Sequence, residues 1–298
     1  MVRVAINGFG RIGRSFLRAA RAQRAGVEVV AVNDLAPPAT NAHLLAYDST
    51  QGRFDEPVVV EGQTLLVGGD PVQILAERDP GALPWAELGV EVVVESTGRF
   101  TSGEAASAHL KAGASRVVIS APASDVDGTF VVGVNDDTYD PARHRIVSNA
   151  SCTTNCVVTL ASVLDSAFGI RHGLMTTVHA YTNDQNLLDL VHKDLRRARA
   201  AAVNIVPATT GAARATGLVL GHLKGRLDGV SLRVPVPVGS ITDLVAIVGA
   251  NVGVEEVNAA YSHAASSGRL APVLDFSDAP LVSSDIVGSP ASCTFDSG

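Results

Sequence analysis

Residues 2–13, with the sequence VRVAINGFGRIG, decide the fold of the N-terminal half of this 298-residue chain. The run VRVAIN at 2–7 is rich in β-branched residues and is typical of a buried strand. A glycine-rich turn follows it, and then a stretch at 14–25 with apolar residues at helical spacing, which ends at Gly26. A second apolar run, VEVVAVN at 27–33, predicts the next strand. We therefore predict a strand–helix–strand unit with two parallel strands.

The glycines of the turn, Gly8, Gly10 and Gly13, have the GxGxxG spacing of a dinucleotide-binding site. The pattern is weak alone, because a tight turn without any ligand also needs glycines. Here it follows a strand, opens a helix and precedes Asn33-Asp34 at the end of the second strand, which is the full context of the fingerprint. The glycines would let a pyrophosphate approach the helix N-terminus, and the Asp34 carboxylate would accept hydrogen bonds from ribose hydroxyls and repel a 2′-phosphate. These residues predict NAD as the cofactor, in preference to NADP.

The rest of the first half continues this alternation of strand and helix, with strong strand patterns at 91–97 and 116–122. After residue 150 the pattern changes to a long helical stretch, several β-rich segments and an amphipathic helix at VEEVNAAYSHAAS. We predict an α/β fold in which a Rossmann-type parallel sheet forms an NAD-binding domain at 1–150. An α+β catalytic domain with a mainly antiparallel sheet is predicted at 151–298.

Composition excludes several classes of protein. Apolar residues make up 46% of the chain and charged residues 18%, which suffices for a sizeable core. The net charge of −7 excludes a generally basic coat, so we do not expect nucleic acid as a partner. No apolar run approaches the roughly 18 residues of a membrane helix, and the N-terminus lacks a signal-peptide pattern. The three cysteines and eight histidines are scattered, so we expect a cytoplasmic protein without a membrane anchor, a disulfide framework or a bound metal.

Cys152 lies where a predicted strand meets a predicted helix. The positive end of the helix dipole would lower the pKa of its thiol and favour the reactive thiolate. His179 follows a β-rich run further along and could act as base and later as acid. The two residues could equally well be a buried structural cysteine and a hydrogen-bonded core histidine, because the sequence does not show whether they lie close together in space. Cys156, one helical turn after Cys152, and Cys293 are predicted to be packed structural cysteines.

Basic side chains crowd one predicted loop of the second half. A solvated or interfacial face is the usual explanation for such a cluster, and anion binding is the alternative. Few aromatic residues accompany it, so we do not expect nucleic-acid bases to stack there. Hydroxyl and guanidinium groups nearby in the sequence could also contact a phosphate, although each residue taken singly suits a turn or a strand. The basic cluster is Lys193, Arg196, Arg197 and Arg199, and the further phosphate candidates are Thr182, Thr209, Thr210, Gly211 and Arg233.

Several segments, taken in order along the chain, carry a resemblance to one known family. They include NGFGRIGR, YDSTQGRF, SAPASDVDGTFVVGVN, SNASCTTNC, HAYTNDQNLLDL and LRVPVP. Together they closely resemble glyceraldehyde-3-phosphate dehydrogenase, and SNASCTTNC with HAYTNDQ is far more specific than the glycine pattern. The resemblance runs from Val2 to Gly298.

The resemblance implies a phosphorylating, NAD-dependent enzyme that oxidises D-glyceraldehyde 3-phosphate to 1,3-bisphosphoglycerate in glycolysis or gluconeogenesis. Cys152 would match the nucleophile, which forms a thiohemiacetal and then a thioester that inorganic phosphate attacks. His179 would match the residue that activates the thiol. A homotetramer is also implied, in which the loop from about Tyr181 to Ala202 lies between subunits.

The resemblance also assigns binding sites residue by residue. Thr182 and Arg233 match the site for the substrate's own phosphate. Together with the glycine fingerprint, it places cofactor contacts at Gly8, Gly10, Arg11, Ile12, Gly13, Asn33, Asp34, Arg78, Thr97, Ser120 and Asn183. It places the sites for the substrate phosphate and the attacking phosphate at Ser151, Thr153, Thr182, Arg197, Thr210, Gly211 and Arg233.

Two features depart from the family pattern. Family members commonly have Leu-Pro where this chain has Leu190-Val191, near the adenosine ribose of the adjacent subunit. Valine still cannot donate a hydrogen bond to a phosphate, and Asp34 is retained, so NAD remains the expected cofactor. The family also continues beyond Gly298 through a strand and a final helix, so we expect a C-terminally truncated member whose missing packing would weaken the fold.

Three alternatives stay open. Erythrose-4-phosphate dehydrogenase is similar in the SNASCTTNC region, although HAYTNDQ and the TTG after NIVPA look more like the glyceraldehyde enzyme. A truncated, inactive homologue that binds NAD or RNA would account for the short C-terminus and the basic loop. A cysteine hydrolase would share the Cys152–His179 pair but would leave the glycine fingerprint unexplained.

Overall fold

The computed structural model describes every residue from Met1 to Gly298, in two compact units. The first unit comprises Met1–Phe130 and Tyr139–Ala150, and the second comprises Val131–Thr138 and Ser151–Gly298. The short segment Val131–Thr138, which a boundary at residue 150 leaves in the first domain, packs with the second unit. Each unit has its own sheet and its own core.

The first unit alternates strands with helices. Helix α1 begins at Arg11, one turn before the predicted start at residue 14, because Gly10 forms its N-cap and the first turn needs no buried side chain. The helices are α1 (Arg11–Ala22), α2 (Pro38–Ala46) and α3 (Gly103–Lys111), with a short 3₁₀ turn at Pro80–Ala82. The strands are β1 (Val2–Asn7), β2 (Val27–Asn33), β3 (Tyr47–Asp48), β4 (Gly52–Arg53), β5 (Val58–Glu61), β6 (Thr64–Val67), β7 (Asp70–Leu75), β8 (Val92–Glu95), β9 (Arg116–Ile119), β10 (Gly128–Thr129) and β11 (Ile146–Ser148).

One nine-stranded sheet organises the first unit, in the order β10-β11-β9-β8-β1-β2-β7-β6-β5. Every pair from β10 to β7 is parallel, and the two pairs made by β6 are antiparallel. The chain goes from β1 to β2 on one side and later places β8 on the other side of β1, so strand order reverses between β1 and β8. The arrangement confirms the predicted Rossmann-type sheet, and such sheets bind ligands at the carboxyl ends of the strands flanking this reversal.

The central strands are buried on both faces of this sheet. Ile6 packs with Leu17 of α1 and Leu45 of α2 on one face, whereas its neighbour Ala5 packs with Trp85 on the other. Side chains of a strand alternate between faces, so burial on both sides requires an unbroken apolar run. This explains why the buried parts of β1 and β2, residues 4–6 and 30–32, are unbroken apolar runs, whereas Arg3 and Glu28 stand near the less buried strand starts.

The second unit contains three α-helices and two small sheets. None of its helices, and none in the first unit, is both long enough and apolar enough to cross a bilayer. The helices are α4 (Cys152–Phe168), α5 (Ala212–Val219) and α6 (Val254–Ser266), with 3₁₀ turns at Asp136–Thr138, Ala201–Val203 and Gly221–Leu223. The strands are β12 (Ile170–Ala180), β13 (Val206–Thr209), β14 (Leu227–Val234), β15 (Ser240–Val248), β16 (Leu274–Ser277) and β17 (Cys293–Asp296).

The larger sheet of this unit has the order β13-β14-β12-β15. The β12–β14 pair is parallel and the other two pairs are antiparallel, which agrees with the predicted mainly antiparallel sheet. Val157 of α4 and Ala213 of α5 pack with Met175 on one face. The opposite face carries exposed apolar side chains, namely Leu174, Val230, Ile241, Val245 and Ile247. The long segment between β12 and β13 contains no strand and only the 3₁₀ turn at Ala201–Val203.

Candidate active site

Cys152 is the first residue of α4, and Ser151 caps that helix. The Ser151 hydroxyl accepts a hydrogen bond from the N–H of Thr154 at 3.0 Å, which fixes the backbone around the thiol. Thr153 is buried, whereas Cys152 is exposed. The thiol therefore stands at the N-terminus of a 17-residue helix, where the helix dipole favours a negative charge.

His179 lies near the end of β12 and faces the thiol. Its Nε2 atom is 3.4 Å from Cys152 Sγ, and its Nδ1 atom is 2.7 Å from the carbonyl oxygen of Ala180. Because a carbonyl oxygen can only accept, Nδ1 carries a proton and donates it to Ala180. The ring is thereby oriented so that Nε2 can exchange a proton with the sulfur or with a molecule bound beside it.

The surroundings lower the pKa of the Cys152 thiol below its ordinary value. Desolvation is the largest single influence and would raise this pKa, but the hydrogen bond and charge of His179 outweigh it together with the contacts of Thr153. The hydroxyl and N–H of Thr153 also lower the pKa. Cys152 therefore exists as the thiolate at a lower pH than an ordinary cysteine, and the thiolate is the nucleophilic form.

Strand pairing brings Arg233 to the same place. The parallel register of β12 and β14 sets His179 opposite Arg233. Arg233 Nη1 donates to Thr182 Oγ1 at 3.0 Å and to the Ala180 carbonyl at 3.1 Å, and it lies 3.0 Å from His179 Nδ1. Arg233 and the histidine thus share one carbonyl acceptor. Desolvation lowers the pKa of Arg233, although the Asp184 carboxylate acts to raise it.

A second guanidinium group, that of Arg197, joins this cluster through an ion pair with Asp184, which also accepts from the Thr182 hydroxyl. The Nε atom of Arg233 and the Nε2 atom of Gln185 are buried and make no hydrogen bond, and the buried Nε atom of Arg197 has only the Asp194 carboxylate at 3.4 Å. All three are donors, and a buried donor without an acceptor is costly. A phosphate would supply acceptors in the planar geometry that guanidinium groups prefer. The donor set therefore fits a phosphate group.

The structure brings together only part of the predicted basic cluster. Arg199 pairs with Asp189 at 2.9 Å, and Lys193 and Arg196 are exposed, so Arg197 alone joins Arg233. The remaining phosphate candidates occupy a different turn of the second unit. Thr210 Oγ1 accepts from the N–H of Ala212 at 3.1 Å, Gly211 is the N-cap of α5, and Thr209 is exposed at the end of β13.

Cys156 and Cys293 are packed, and they pack against each other, with their Sγ atoms 3.1 Å apart. Both are free thiols. The hydrogen bond to Cys156, together with burial, raises the pKa of Cys293. Nothing in the local sequence indicates this contact, because it joins α4 to the strand β17 near the end of the chain.

The glycine turn of the first unit fits a dinucleotide. Gly8 has a φ of 92°, and a Cβ on Gly13 would lie 2.2 Å from the Gly8 carbonyl oxygen, so both positions require glycine. Gly10 caps α1 without any side-chain hydrogen bond, and a Cβ on it would meet nothing within 4 Å. No side chain therefore caps the first N–H groups of α1, and open space lies beside Gly10, which suits a pyrophosphate.

Asp34 directly follows β2 and is held beside this turn. Its Oδ2 atom accepts from the N–H of Phe9 at 2.9 Å, and its Oδ1 atom accepts from the N–H of Ala36 at 2.9 Å. Each carboxylate oxygen can accept a second hydrogen bond. Asp34 can therefore receive ribose hydroxyls without losing the contacts that orient it.

Other residues predicted to contact the cofactor follow strands at the same carboxyl edge of the sheet. Thr97 follows β8, Ser120 follows β9 and Arg78 follows β7. Ser120 Oγ donates to the carbonyl of Glu95 at 3.1 Å. The predicted contacts outside this edge are Arg11 and Ile12, which are exposed in the first turn of α1, and Asn183, which is exposed in the loop after β12 of the second unit.

Asn33 differs from its neighbours, because it is buried and its side chain is already bound. Its amide nitrogen donates to Asn7 Oδ1 at 2.7 Å and to the Glu77 carbonyl at 2.8 Å. Asn33 belongs to a buried polar network that reaches Glu95 through Asn7. The sequence analysis does not predict this network. The only signal in the sequence is the polar residue at the end of an apolar strand, as with Asn7 in β1 and Glu95 in β8.

Family models match both halves of the chain. The model described as glyceraldehyde 3-phosphate dehydrogenase, NAD binding domain, matches residues 2–103, and the model of the C-terminal domain matches residues 151–298. Glyceraldehyde-3-phosphate dehydrogenase 2 of Streptomyces arenae is 61% identical over 297 residues, which cover 100% of this chain and 89% of the relative. Glyceraldehyde-3-phosphate dehydrogenase of Kitasatospora aureofaciens is 62% identical over 297 residues with the same coverage, and that of Mycobacterium bovis (strain BCG / Pasteur 1173P2) is 59% identical over 303 residues, again covering 100% and 89%. These matches confirm the resemblance, and the chain belongs to the glyceraldehyde-3-phosphate dehydrogenase family.

Proposed function

We propose that this chain carries out the phosphorylating oxidation of D-glyceraldehyde 3-phosphate to 1,3-bisphosphoglycerate in glycolysis or gluconeogenesis, with Cys152 as the nucleophile. As a family member it is an NAD-dependent oxidoreductase that acts on an aldehyde. The observation that carries the proposal is the pair formed by Cys152 and His179, 3.4 Å apart, with a lowered thiol pKa. Arg233 contacts the same histidine and has a buried donor that fits a phosphate. An activated thiolate beside a phosphate-binding group suits an aldehyde that bears a phosphate.

The first step joins the Cys152 sulfur to the aldehyde carbon. The thiolate donates the electron pair for the new C–S bond, and the carbonyl π electrons move to oxygen. That oxygen takes the proton held at His179 Nε2, which gives a thiohemiacetal. We assign the Cys152 N–H, at the start of α4, as a hydrogen-bond donor to the developing oxyanion.

The residues of the first unit fit NAD, because the glycine turn is open at Gly10 and the Asp34 carboxylate can accept ribose hydroxyls. Arg78 and Thr97 would hold it at the neighbouring strand ends. When bound, NAD supplies the acceptor for the hydride that leaves the thiohemiacetal carbon. His179 Nε2 takes the hydroxyl proton as the carbonyl re-forms, and the acyl group remains on the cysteine as a thioester.

The last step releases the acyl group to inorganic phosphate. A phosphate oxygen forms a bond to the thioester carbon, the C–S bond breaks, and its electron pair returns to Cys152. The environment that lowers the pKa of this thiol also makes its thiolate a good leaving group. The acyl phosphate formed in this way is 1,3-bisphosphoglycerate.

Two phosphate sites are part of the proposal. Thr182 and Arg233 are assigned to the substrate's own phosphate, because they are hydrogen-bonded to each other and Arg233 contacts His179. The helix N-termini at Ser151 and Gly211 offer backbone N–H donors for the attacking phosphate, and Arg197 offers a guanidinium group. The residues assigned to the attacking phosphate are Ser151, Thr153, Arg197, Thr210 and Gly211.

The proposal also includes the assembly of the chain and its location in the cell. Several exposed apolar side chains lie together on the four-stranded sheet, and several more lie in the loop after β12. Scattered single apolar residues are normal on a protein surface, but groups of this kind mark interaction sites. We infer that further copies of the chain cover them in a homotetramer. We also infer a cytoplasmic location, because the three cysteines are free and one of them is reactive. The loop residues concerned are Leu187, Leu188, Leu190, Val191 and Leu195.

NADH formation, followed by its near-ultraviolet absorbance, tests the reaction on the chain as it stands. We expect turnover with glyceraldehyde 3-phosphate and NAD that depends on added inorganic phosphate. Erythrose 4-phosphate and unphosphorylated glyceraldehyde, tested in parallel, measure the specificity for the substrate. Turnover independent of phosphate, or faster turnover of erythrose 4-phosphate, would contradict the proposal. A folded chain that binds NAD but forms no NADH would support an inactive homologue instead.

A further inference from the structure

A buried network lies beneath the carboxyl edge of the first-unit sheet. Its members Trp85, His109, Glu95, Asn7 and Asn33 are each at most 6% exposed. Asn7 ends β1 and Glu95 ends β8, and these strands flank the reversal of strand order. The network therefore lies directly beneath the position at which this kind of sheet binds its ligand. Buried polar groups are stable only when each finds its partner, so the hydrogen bonds assign the proton positions.

Trp85 determines the tautomer of His109. The indole Nε1–H can only donate, and it lies 3.0 Å from His109 Nδ1, so Nδ1 accepts and carries no proton. The ring proton is therefore on Nε2, which donates to Glu95 Oε2 at 3.0 Å. A doubly protonated ring would point its Nδ1–H at the indole N–H. His109 is therefore neutral, and it stabilises Glu95 as a hydrogen-bond donor and not as a cation.

The backbone of Glu77 determines how the two asparagine amides are turned. Asn33 Oδ1 accepts from the Glu77 N–H at 2.8 Å, and Asn33 Nδ2 donates to the Glu77 carbonyl at 2.8 Å. The same Nδ2 donates to Asn7 Oδ1 at 2.7 Å, so Asn7 turns its own Nδ2 toward Glu95 Oε2, at 2.6 Å. This branch connects the backbone just before Arg78 to the Glu95 carboxylate.

Thr97 completes the set of donors around Glu95. Its N–H donates to Glu95 Oε1 at 2.8 Å, and its hydroxyl donates to the same oxygen. With His109 and Asn7, the carboxylate accepts hydrogen bonds from neutral donors on both oxygens, which is the pattern that suits its ionised form. Thr97 also forms a wall of the glycine turn, because a Cβ on Gly8 would lie 2.7 Å from its nitrogen.

We propose that Glu95 is a positioning residue for the cofactor site. Its ionised carboxylate holds Thr97 against the glycine turn on one side and, through the two asparagines, holds the backbone before Arg78 on the other. The inference rests on the proposed cofactor contacts of Thr97 and Arg78. By ordering both strand ends in advance, Glu95 removes backbone freedom that cofactor binding would otherwise have to remove.

Glu95→Gln tests the proposal, because glutamine keeps the shape of glutamate but turns a donor group toward neighbours that are already donors. The main readout is the dissociation constant of NAD, measured by calorimetry on the full chain. We expect NAD to bind about tenfold more weakly. The alkylation rate of Cys152 without NAD should be unchanged, because Cys152 belongs to the second unit and the reactivity of its thiol depends on His179 and Thr153.

Val93→Ala is the matched control. Val93 lies in the same strand β8 and is completely buried; it packs in the apolar cluster that also contains Trp85, but its side chain has no polar atom and makes no hydrogen bond in the network. This variant should lose thermal stability and keep its NAD affinity. Equal losses of NAD affinity in Val93→Ala and Glu95→Gln would reduce Glu95 to an ordinary core residue and overturn the proposal.

A second pair of variants decides the matter even where Glu95→Gln fails to fold. His109→Gln can still donate to Glu95, whereas His109→Leu cannot, so the leucine variant should bind NAD several-fold more weakly than the glutamine variant. Equal NAD affinities for this pair would overturn the proposal. A wild-type chain that does not bind NAD would overturn the proposed function as well. If the wild type binds NAD and Glu95→Gln binds it with the same affinity, this inference alone is overturned.

Discussion

Replacing Gly13 by alanine tests how closely α1 packs on the glycine turn. The added Cβ would lie 2.2 Å from the Gly8 carbonyl oxygen and 2.9 Å from Ile6 Cγ2. Ordinary contact begins at 3.4 Å, so the helix and the turn must separate by about 1 Å in a densely packed region. The Gly8 oxygen is backbone at a φ of 92° and cannot rotate away as a side chain would.

The energetic consequence can be worked from these contacts. Overpacking costs about 1–3 kcal/mol, and a rigid backbone oxygen places this site near the upper end. Alanine regains about 1 kcal/mol of helix propensity, so the net loss is about 2 kcal/mol of unfolding free energy. That is a large share of a typical margin of about 5–15 kcal/mol. For a unit of this size the Tm should fall by roughly 4–8 °C.

Gly10→Ala is the control, because a Cβ there would meet nothing within 4 Å of the protein. Its cost in stability should be about 0.5–1 kcal/mol, from the poorer N-cap. Its Cβ would nevertheless occupy the space that a pyrophosphate needs, so NAD should bind much more weakly. Differential scanning calorimetry and NAD titration of both variants separate the effects. An unchanged Tm for Gly13→Ala, or wild-type NAD affinity for Gly10→Ala, would refute the assignment of the two glycines.

Three further substitutions test the proposed chemistry. Cys152→Ser should abolish NADH formation because serine is not ionised near neutral pH, while calorimetry should show NAD binding as in the wild type; loss of that binding in a folded variant would contradict the separation of roles. Asp34→Gly should relax the preference for NAD, since the carboxylate that repels a 2′-phosphate is gone, and an unchanged ratio of kcat/KM for NAD and NADP would count against it. His179→Asn removes the charge and hydrogen bond that lower the pKa of Cys152, so this pKa should rise. The thiolate then forms only at a higher pH than in the wild type. The iodoacetamide alkylation profile should therefore shift to higher pH, and a profile that stays in place would show that His179 does not hold the thiolate.

Local patterns predict the regular elements well. The amphipathic pattern VEEVNAAYSHAAS corresponds to α6 from its first residue to its last. The apolar runs at 2–7 and 27–33 correspond to β1 and β2. Hydrophobic periodicity succeeds here because each element buries one face, or both, against a single core. The start of α1 is predicted one turn late, because Arg11 and Ile12 are exposed and the buried Gly13 has no side chain, so the first turn carries no apolar pattern.

Contacts between residues that are far apart in the sequence cannot be predicted from such local patterns. Cys156 meets Cys293 across 137 positions, and Asn7 meets Glu95 across 88. Each contact depends on which strands or helices become neighbours, and local periodicity does not contain that information. The basic cluster shows the same limit, since four adjacent cations look alike in the sequence. In the folded chain, Arg197 forms an ion pair with Asp184, whereas Arg199 pairs with Asp189 elsewhere in the loop.

The sequence by itself determined the kind of fold, the family resemblance and the residue types that carry the chemistry. Glycines at Gly8 and Gly13, where any Cβ would clash, and a cysteine at the first position of α4 are local requirements, so they are visible in local sequence. Only the tertiary structure decided what those residues touch. The parallel register of β12 and β14 sets Arg233 beside His179, and the strand reversal places Glu95 under the glycine turn. The physical reason is that hydrogen bonds and ion pairs act over a few ångströms in space, whereas the sequence records only distance along the chain.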